Sequence, residues 1–117
     1  MTSPFAPMLE AFTRQRGVRA SLIVSEDDGL VVDSRIHVGE DEDRIAALVA
    51  SIYRKARRSA RAAHLGSVSF LQLDTELGRI CAAGSRELVI VVVADRAANV
   101  GIIRVELLKA ASGGALG

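Results

Sequence analysis

Cysteine is nearly absent from this sequence of 117 residues, which contains only Cys81. A single cysteine cannot form a disulfide bond within the chain, and it cannot build a metal site from thiolates. We therefore expect a reducing compartment and predict a cytoplasmic location. The N-terminal residues do not show a charged segment followed by an apolar one, so we predict no signal peptide. The apolar runs are far shorter than the roughly 18 residues of a membrane-spanning helix, and we predict no membrane span.

The sequence also has few aromatic residues and a low net charge. The chain has three Phe, one Tyr and no Trp, and its formal net charge is +1. Proteins that bind single-stranded nucleic acid usually stack bases on aromatic side chains, and nucleic-acid-binding domains usually carry a clear positive excess. Nucleic acid is therefore a disfavoured partner, although a nucleic-acid-binding module stays among the alternatives.

The remaining composition is that of a globular protein. Half of the residues are hydrophobic and a quarter are charged, which differs from the composition of disordered chains. The length predicts one domain over residues 1–117, with a core that buries about two-thirds of the unfolded surface. We expect the Gly-rich tail, residues 112–117, to be flexible.

Apolar spacing in the first half of the chain predicts two helices and a hairpin. Phe5, Met8, Leu9 and Phe12 have helical spacing, which predicts a helix over about 5–15. Alternating apolar residues predict a strand over 18–24. The turn dipeptide Asp28-Gly29 leads from it into a return strand over 30–35. A helical apolar arc predicts a long helix over about 42–64.

The second half predicts three strands and a final helix. Strands are expected over 67–74 and 78–85, and a third over 88–94. Because its seven consecutive residues are all apolar, both faces of the third strand should be covered. A helix over about 98–111 closes the chain. The order α-β-β-α-β-β-β-α predicts an α+β fold, in which hairpins form an antiparallel sheet with helices on both sides.

The sequence shows no recognisable catalytic, cofactor or metal motif. It has no phosphate-binding loop and no G-x-G-x-x-G pattern. The acidic stretch "SEDDG" lacks the spacing of a calcium loop. We predict no catalytic residue, no cofactor and no metal. The residues considered and set aside are the distant histidines His37 and His64, the serines Ser25, Ser59 and Ser69, which have no local base, and Cys81, expected to be a small buried hydrophobe.

Five cations lie within eight positions of the predicted long helix. We call Arg54, Lys55, Arg57, Arg58 and Arg61 the basic run. Acidic residues at the start of the helix and basic ones near its end both oppose the helix dipole favourably. A solvated helix face explains the run, and a docking face for an acidic partner is the alternative. Membrane docking is disfavoured, because the core needs the apolar arc of the same helix.

Three stretches of the sequence together resemble the roadblock/LC7 domain. They are "GVRASLIVSEDDGLVVDSR", "LQLDTELGRICAAGSRELVIVVVAD" and "ANVGIIRVELLKAA", in the last of which Asn99, Gly101 and Arg104 match the family's N-x-G-x-x-R pattern. The resemblance covers about residues 5–111. This family comprises small dynein light chains and bacterial and archaeal regulators of Ras-like GTPases.

The resemblance implies a five-stranded antiparallel sheet with the long helix on one face and the terminal helices on the other. It also implies a non-catalytic scaffold or regulator that forms a homodimer, or pairs with another roadblock-type subunit, and binds a Ras-like small GTPase. The third strands would pair edge to edge, as an unprotected apolar edge favours. The expected dimer interface is Ser67, Val68, Ser69, Phe70, Leu71 and Leu73. The expected GTPase-binding residues are Arg44, Leu48, Ser51, Arg54, Lys55 and Arg58.

One alternative function, small-molecule sensing, belongs to a different class. An antiparallel sheet flanked by helices can also enclose a pocket that senses a small molecule, because fold does not determine function. The scarcity of aromatic residues argues against this alternative, since few side chains of that kind are left to line a pocket.

Overall fold

The computed structural model describes residues 3–37 and 39–113. The helices are α1 (Ala6–Thr13), α2 (Glu42–Ala62) and α3 (Val100–Ser112), and the strands are β1 (Val18–Ser25), β2 (Val31–Ile36), β3 (Leu71–Thr75), β4 (Gly78–Ser85) and β5 (Leu88–Ala94). The strands form one antiparallel sheet in the order β2-β1-β5-β4-β3. The predicted fold class and element order are confirmed.

Strand β5 lies at the centre of the sheet, where it pairs with β1 and β4. Its side chains alternate between two cores. Val89, Val91 and Val93 face α2, whereas Ile90 and Val92 face α1 and α3. Both faces are covered, which explains why the strand is apolar without alternation.

The helices lie in the predicted layers. Helix α2 packs on one face of the sheet through Ala46, Val49, Ala50 and Tyr53. On the opposite face, α1 contributes Leu9 and Phe12, and α3 contributes Ile103 and Leu107. The long helix is therefore on one side of the sheet and the terminal helices are on the other.

Helix α2 starts where the sequence predicted and ends slightly earlier. Asp41 is its N-cap, and the Asp41 side chain accepts a hydrogen bond from the Arg44 backbone N–H at 3.2 Å. Its last residue is Ala62, and His64, which the prediction included, has a φ of 61°. A left-handed residue ends a helix in this way.

Strand β3 begins at Leu71, not at residue 67 as predicted. The Tyr53 hydroxyl explains the shorter strand. It donates a hydrogen bond to the Val68 carbonyl at 3.0 Å and accepts one from the Gly84 N–H at 2.9 Å. The Gly84 N–H of β4 is thus bonded to the Tyr53 hydroxyl, at the place where a longer β3 would otherwise accept its hydrogen bond.

The predicted flexible tail falls largely outside the described residues. Ser112 is the last residue of α3, and the Gly113 N–H donates to the Lys109 carbonyl at 2.8 Å. Residues 114–117 lie outside the part of the chain that the structure describes.

Candidate protein-binding surfaces

Five of the six predicted GTPase-binding residues form one stripe on α2. Arg44, Leu48, Ser51, Lys55 and Arg58, which we call the outer stripe, recur at steps of three and four residues and so share one side of the helix. All are exposed except the half-buried Ser51. Leu48 is 44% exposed. The stripe therefore presents one large apolar residue among cations.

The sixth predicted residue, Arg54, is engaged within the chain. Its guanidinium donates hydrogen bonds to the backbone carbonyls of Glu26 and, at 3.1 Å, of Asp27. These two residues follow β1 and lead into the turn before β2. Arg54 thus holds the β1–β2 turn against α2, and the structure does not place it on the outer stripe.

Arg57, from the same basic run, neutralises a buried acid. The Glu26 residue is only 3% exposed. Arg57 donates hydrogen bonds from Nε, at 2.9 Å, and from Nη2 to the same Glu26 carboxylate oxygen. Glu26 was missed as an important residue in the sequence. The sequence contains an acidic stretch and a basic run of opposite charge, but no local pattern indicates that Glu26 pairs with Arg57.

Tyr53 connects three elements through its hydroxyl. The two hydrogen bonds described above join α2, the segment before β3, and β4. Burial raises the pKa of the Tyr53 hydroxyl above its usual value, so the group keeps its proton at neutral pH and can donate it. A Cβ added at Gly84 would lie 2.7 Å from the Tyr53 oxygen. Glycine is therefore required at this position for the close approach.

Strand β3 forms one edge of the sheet, as predicted, and pairs on its inner side with β4. Thr75 and Gly78 flank a two-residue turn. In such a hairpin the flanking pair is hydrogen-bonded and the pairs then alternate. The backbone N–H groups of Gln72 and Asp74 consequently point outward, where a further strand could bind.

Only part of the predicted dimer interface lies in this strand. Leu71 and Leu73 belong to β3 and are half-buried. Leu71 lies against the core beneath α2. The other four predicted residues, Ser67, Val68, Ser69 and Phe70, precede the ladder. Phe70 contacts the opposite core, where the Arg104 guanidinium lies 5.0 Å from the centre of its ring.

The family model for the Roadblock/LC7 domain matches residues 6–94 of this sequence. The chain belongs to the Roadblock/LC7 family. The resemblance found in the sequence is therefore confirmed, and the fold is the family's fold.

Relatives and solved structures agree with this assignment. An uncharacterized protein of Methanocaldococcus jannaschii is 26% identical over 104 residues, which is 89% of this chain and 90% of the relative. The gliding protein MglB from Thermus thermophilus has a similar structure, with a TM-score of 0.81, 18% identity, and coverage of 99% of this chain and 91% of that one. An MglB with a tetrameric arrangement has a TM-score of 0.82 at 20% identity, covering 99% and 90%.

The residues considered for chemistry are isolated in this Roadblock/LC7 domain. Cys81 is buried, as predicted, and burial raises the pKa of its thiol to about 11. His37 and His64 are exposed. Within residues 3–37 and 39–113, no group of three or more His, Cys, Asp or Glu side chains could hold a metal ion. None of the helices in that part of the chain is long and apolar enough to cross a membrane.

Proposed function

We propose that this protein is a non-catalytic regulator that forms a dimer through β3 and binds a Ras-like small GTPase through the outer stripe of α2. The observation that carries the proposal is the open edge of β3, beside a helix whose outer stripe is exposed. Family membership supports it, because the family's regulators act on such GTPases as dimers. The tetrameric arrangement of the similar MglB structure is consistent with self-association.

The edge of β3 has the properties that favour strand pairing. Its outward N–H groups have no ladder partner among the described residues, and such an edge is a template for another strand. On the face that carries α2, Leu71, Leu73 and Ile80 are only half-buried. A second copy that paired antiparallel with β3 would extend the sheet and bury these side chains.

Proline substitution tests the pairing directly. Gln72→Pro removes one outward N–H while leaving the hydrogen bonds to β4 in place. Gln72→Ala is the matched control, because it shortens the same side chain and keeps the N–H. We expect analytical ultracentrifugation at micromolar concentration to give twice the 12.4 kDa chain mass for the wild type and Gln72→Ala, and a large monomer fraction for Gln72→Pro. A wild type that stays monomeric, or a Gln72→Pro dimer of unchanged stability, would contradict the proposed interface.

The outer stripe combines one exposed apolar residue with three cations. Leu48 provides exposed apolar area, and the cations Arg44, Lys55 and Arg58 lie along the same side of the helix. A few residues, arginine often among them, contribute most of the affinity of a protein interface, whereas charges at the rim mainly accelerate encounter with an acidic partner.

The GTPase partner is tested by capture followed by measured affinity. The tagged protein is incubated with a native lysate, Ras-like GTPases in the captured fraction are identified by mass spectrometry, and the purified GTPase is then titrated in its GDP and GTP-analogue forms. We expect Leu48→Ala/Lys55→Glu to weaken binding by at least about tenfold. Arg96→Glu reverses an exposed charge on the loop before α3 and is the control. Equal affinity of the wild type and the stripe variant would exclude this surface as the docking site.

A second candidate, small-molecule sensing, is supported by a groove between α1 and α3. Its volume is about 330 Å³, and its lining includes Met8, Ala11, Phe12 and Ala110. That volume is at the lower end of the roughly 300–1,000 Å³ of small-molecule sites. A thermal-shift screen with metabolites distinguishes the two candidates, because a ligand of this groove would raise the melting temperature without any GTPase.

A further inference from the structure

Three arginines line a cavity on the α2 side of the sheet. Arg57 and Arg61 lie one turn apart on α2, and Arg86 lies in the two-residue turn between β4 and β5. The cavity has a volume of about 200 Å³, and Glu26, Tyr53 and Ser67 complete the part of its lining that matters here. We call it the arginine cavity.

Two residues that line the arginine cavity, Glu26 and Tyr53, are held in place by hydrogen bonds. The Glu26 carboxylate is bound by Arg57, and the Glu26 backbone N–H donates to the Glu87 carbonyl at 2.9 Å. Tyr53, whose hydroxyl bonds to β4 and to the segment before β3, forms a fixed wall. Arg57 is therefore oriented before any ligand arrives, and pre-organisation of this kind lowers the cost of binding.

The lining carries an excess of positive charge. The lining includes three arginines and one acidic residue, Glu26. Arg57 is paired with this carboxylate, whereas Arg61 and Arg86 have no carboxylate within 4.0 Å among the described residues. The C-terminal end of α2, where Arg61 lies, carries about half a negative charge from its backbone carbonyls, and this offsets part of the positive excess. The cavity thus keeps a surplus of more than one positive charge.

Arg86 stands at a position where its backbone is unfavourable. Its φ is 58°, a conformation that glycine or asparagine adopts much more readily than arginine. The helix dipole accounts for a cation at Arg61, in the last turn of α2, but it does not account for Arg86. A two-residue hairpin turn requires a positive φ at its first position, but glycine or asparagine would meet that requirement at a lower cost, so the turn does not explain why arginine lines the cavity there.

We propose that the arginine cavity binds a phosphate group. Arginine forms bidentate, charge-assisted hydrogen bonds with phosphate oxygens. A phosphomonoester carries about −1.5 to −2 charges at neutral pH, which complements the surplus of the lining. Small-molecule sites usually have about 300–1,000 Å³, so the 200 Å³ of this cavity fits one phosphate group and not a whole nucleotide. Inorganic phosphate and the phosphate of a small phosphomonoester are the two possible sources of this chemistry.

Calorimetric titration with inorganic phosphate and with glycerol phosphate tests the proposal. Ionic strength is held constant with chloride, so that general screening does not contribute. We expect saturable binding of at least one of the two ligands, and the tighter one identifies the source. Arg61→Gln/Arg86→Gly should weaken that binding by at least about tenfold, because it removes two charged donors. Glycine suits the positive φ at position 86, so this variant should fold.

The matched control is Arg14→Gln/Arg96→Gln. It removes two positive charges from exposed positions that lie outside both the cavity lining and the outer stripe, and it should leave the affinity within about twofold. Circular dichroism verifies that each variant is folded. If neither phosphate ligand gives heat or raises the wild-type melting temperature beyond the chloride reference, the proposal is wrong. It is equally wrong if the control variant loses as much affinity as the cavity variant, since the effect would then be one of net charge.

Discussion

Arg57 on α2 neutralises the buried carboxylate of Glu26 through two hydrogen bonds to one oxygen. Thirty-one positions separate the two residues in the sequence. Glu26 follows β1, so the pair fastens the long helix to the hairpin on its side of the sheet. A residue that looks like one of five surface cations is thus half-buried and paired with a buried acid.

Replacing Arg57 should destabilise the fold more than replacing its neighbour Arg58. Arg57→Met leaves the Glu26 carboxylate buried without its partner, and removing one partner of a buried pair costs several kcal/mol. Because the Arg57 side chain is 36% exposed and other arginines lie near, we expect a loss of about 1–2 kcal/mol in the free energy of unfolding. Arg58→Met, at an exposed position, should change it by less than about 0.5 kcal/mol.

Urea unfolding at one fixed protein concentration measures both variants. A common concentration is needed because association contributes to the stability of an oligomer. Equal losses for Arg57→Met and Arg58→Met would show that Glu26 does not depend on its arginine partner.

Removing the Tyr53 hydroxyl should weaken the junction of α2 with β4. Tyr53→Phe leaves the Gly84 N–H and the Val68 carbonyl without the partner that each has in this structure. We expect a loss of about 1–2 kcal/mol, towards the lower end of the cost of unsatisfied polar groups, because these two are partly buried. Amide hydrogen exchange gives a local measure. Exchange should accelerate at Gly84 more than at Val91 in the central strand, and uniform acceleration would contradict a local role of the hydroxyl.

A methyl group at Gly84 should be poorly tolerated. Three atoms of the Tyr53 ring and hydroxyl lie within 2.9 Å of where the new Cβ would be, so Tyr53 or β4 must shift. We expect Gly84→Ala to cost about 1–3 kcal/mol, as overpacking of a core usually does. A double-mutant cycle with Tyr53→Ala isolates the contact. In the Tyr53→Ala background the alanine should cost much less, and strict additivity of the two substitutions would exclude the clash as the cause.

Stability should fall at alkaline pH because of Cys81. Burial raises the pKa of its thiol from 9.0 to about 11 in the folded protein. The unfolded chain therefore loses this proton first, so the contribution is fully present below pH 9.0 and is lost as the pH rises towards 11. We expect a decrease of about 2–3 kcal/mol in the free energy of unfolding across that interval.

Cys81→Ala separates this effect from other alkaline titrations. The variant lacks the thiol, so its stability should depend less steeply on pH over the same interval. Tyr53, whose raised pKa makes it a second source of alkaline pH dependence, is present in both proteins and cancels in the comparison. Chemical unfolding at several alkaline pH values gives both curves. Parallel curves for the wild type and Cys81→Ala would refute the assignment to the thiol.

Apolar periodicity in the sequence was sufficient to predict the framework of this protein. The seven apolar residues of β5 indicated a strand covered on both faces, and it lies at the centre of the sheet with a core on each side. The helical spacing of Leu9 and Phe12 predicted the buried side of α1. These features depend on which residues lie near one another along the chain, and local spacing contains that information. Three stretches of the sequence also resembled the Roadblock/LC7 domain, and the family match confirmed that resemblance.

Only the tertiary structure showed that the five cations of the basic run have different environments. Lys55 and Arg58 face solvent, Arg54 and Arg57 bind the β1–β2 turn and Glu26, and Arg61 joins Arg86 at a cavity. Likewise, the helical pattern placed Tyr53 on the apolar side of α2 but did not reveal that its hydroxyl bonds to the Gly84 N–H and that β3 starts only beyond it. Hydrogen bonds and ion pairs between residues about thirty positions apart depend on how the elements pack in three dimensions. Charge and spacing along one helix are the same whether an arginine faces water or a buried carboxylate, and the fold alone brings that carboxylate within reach.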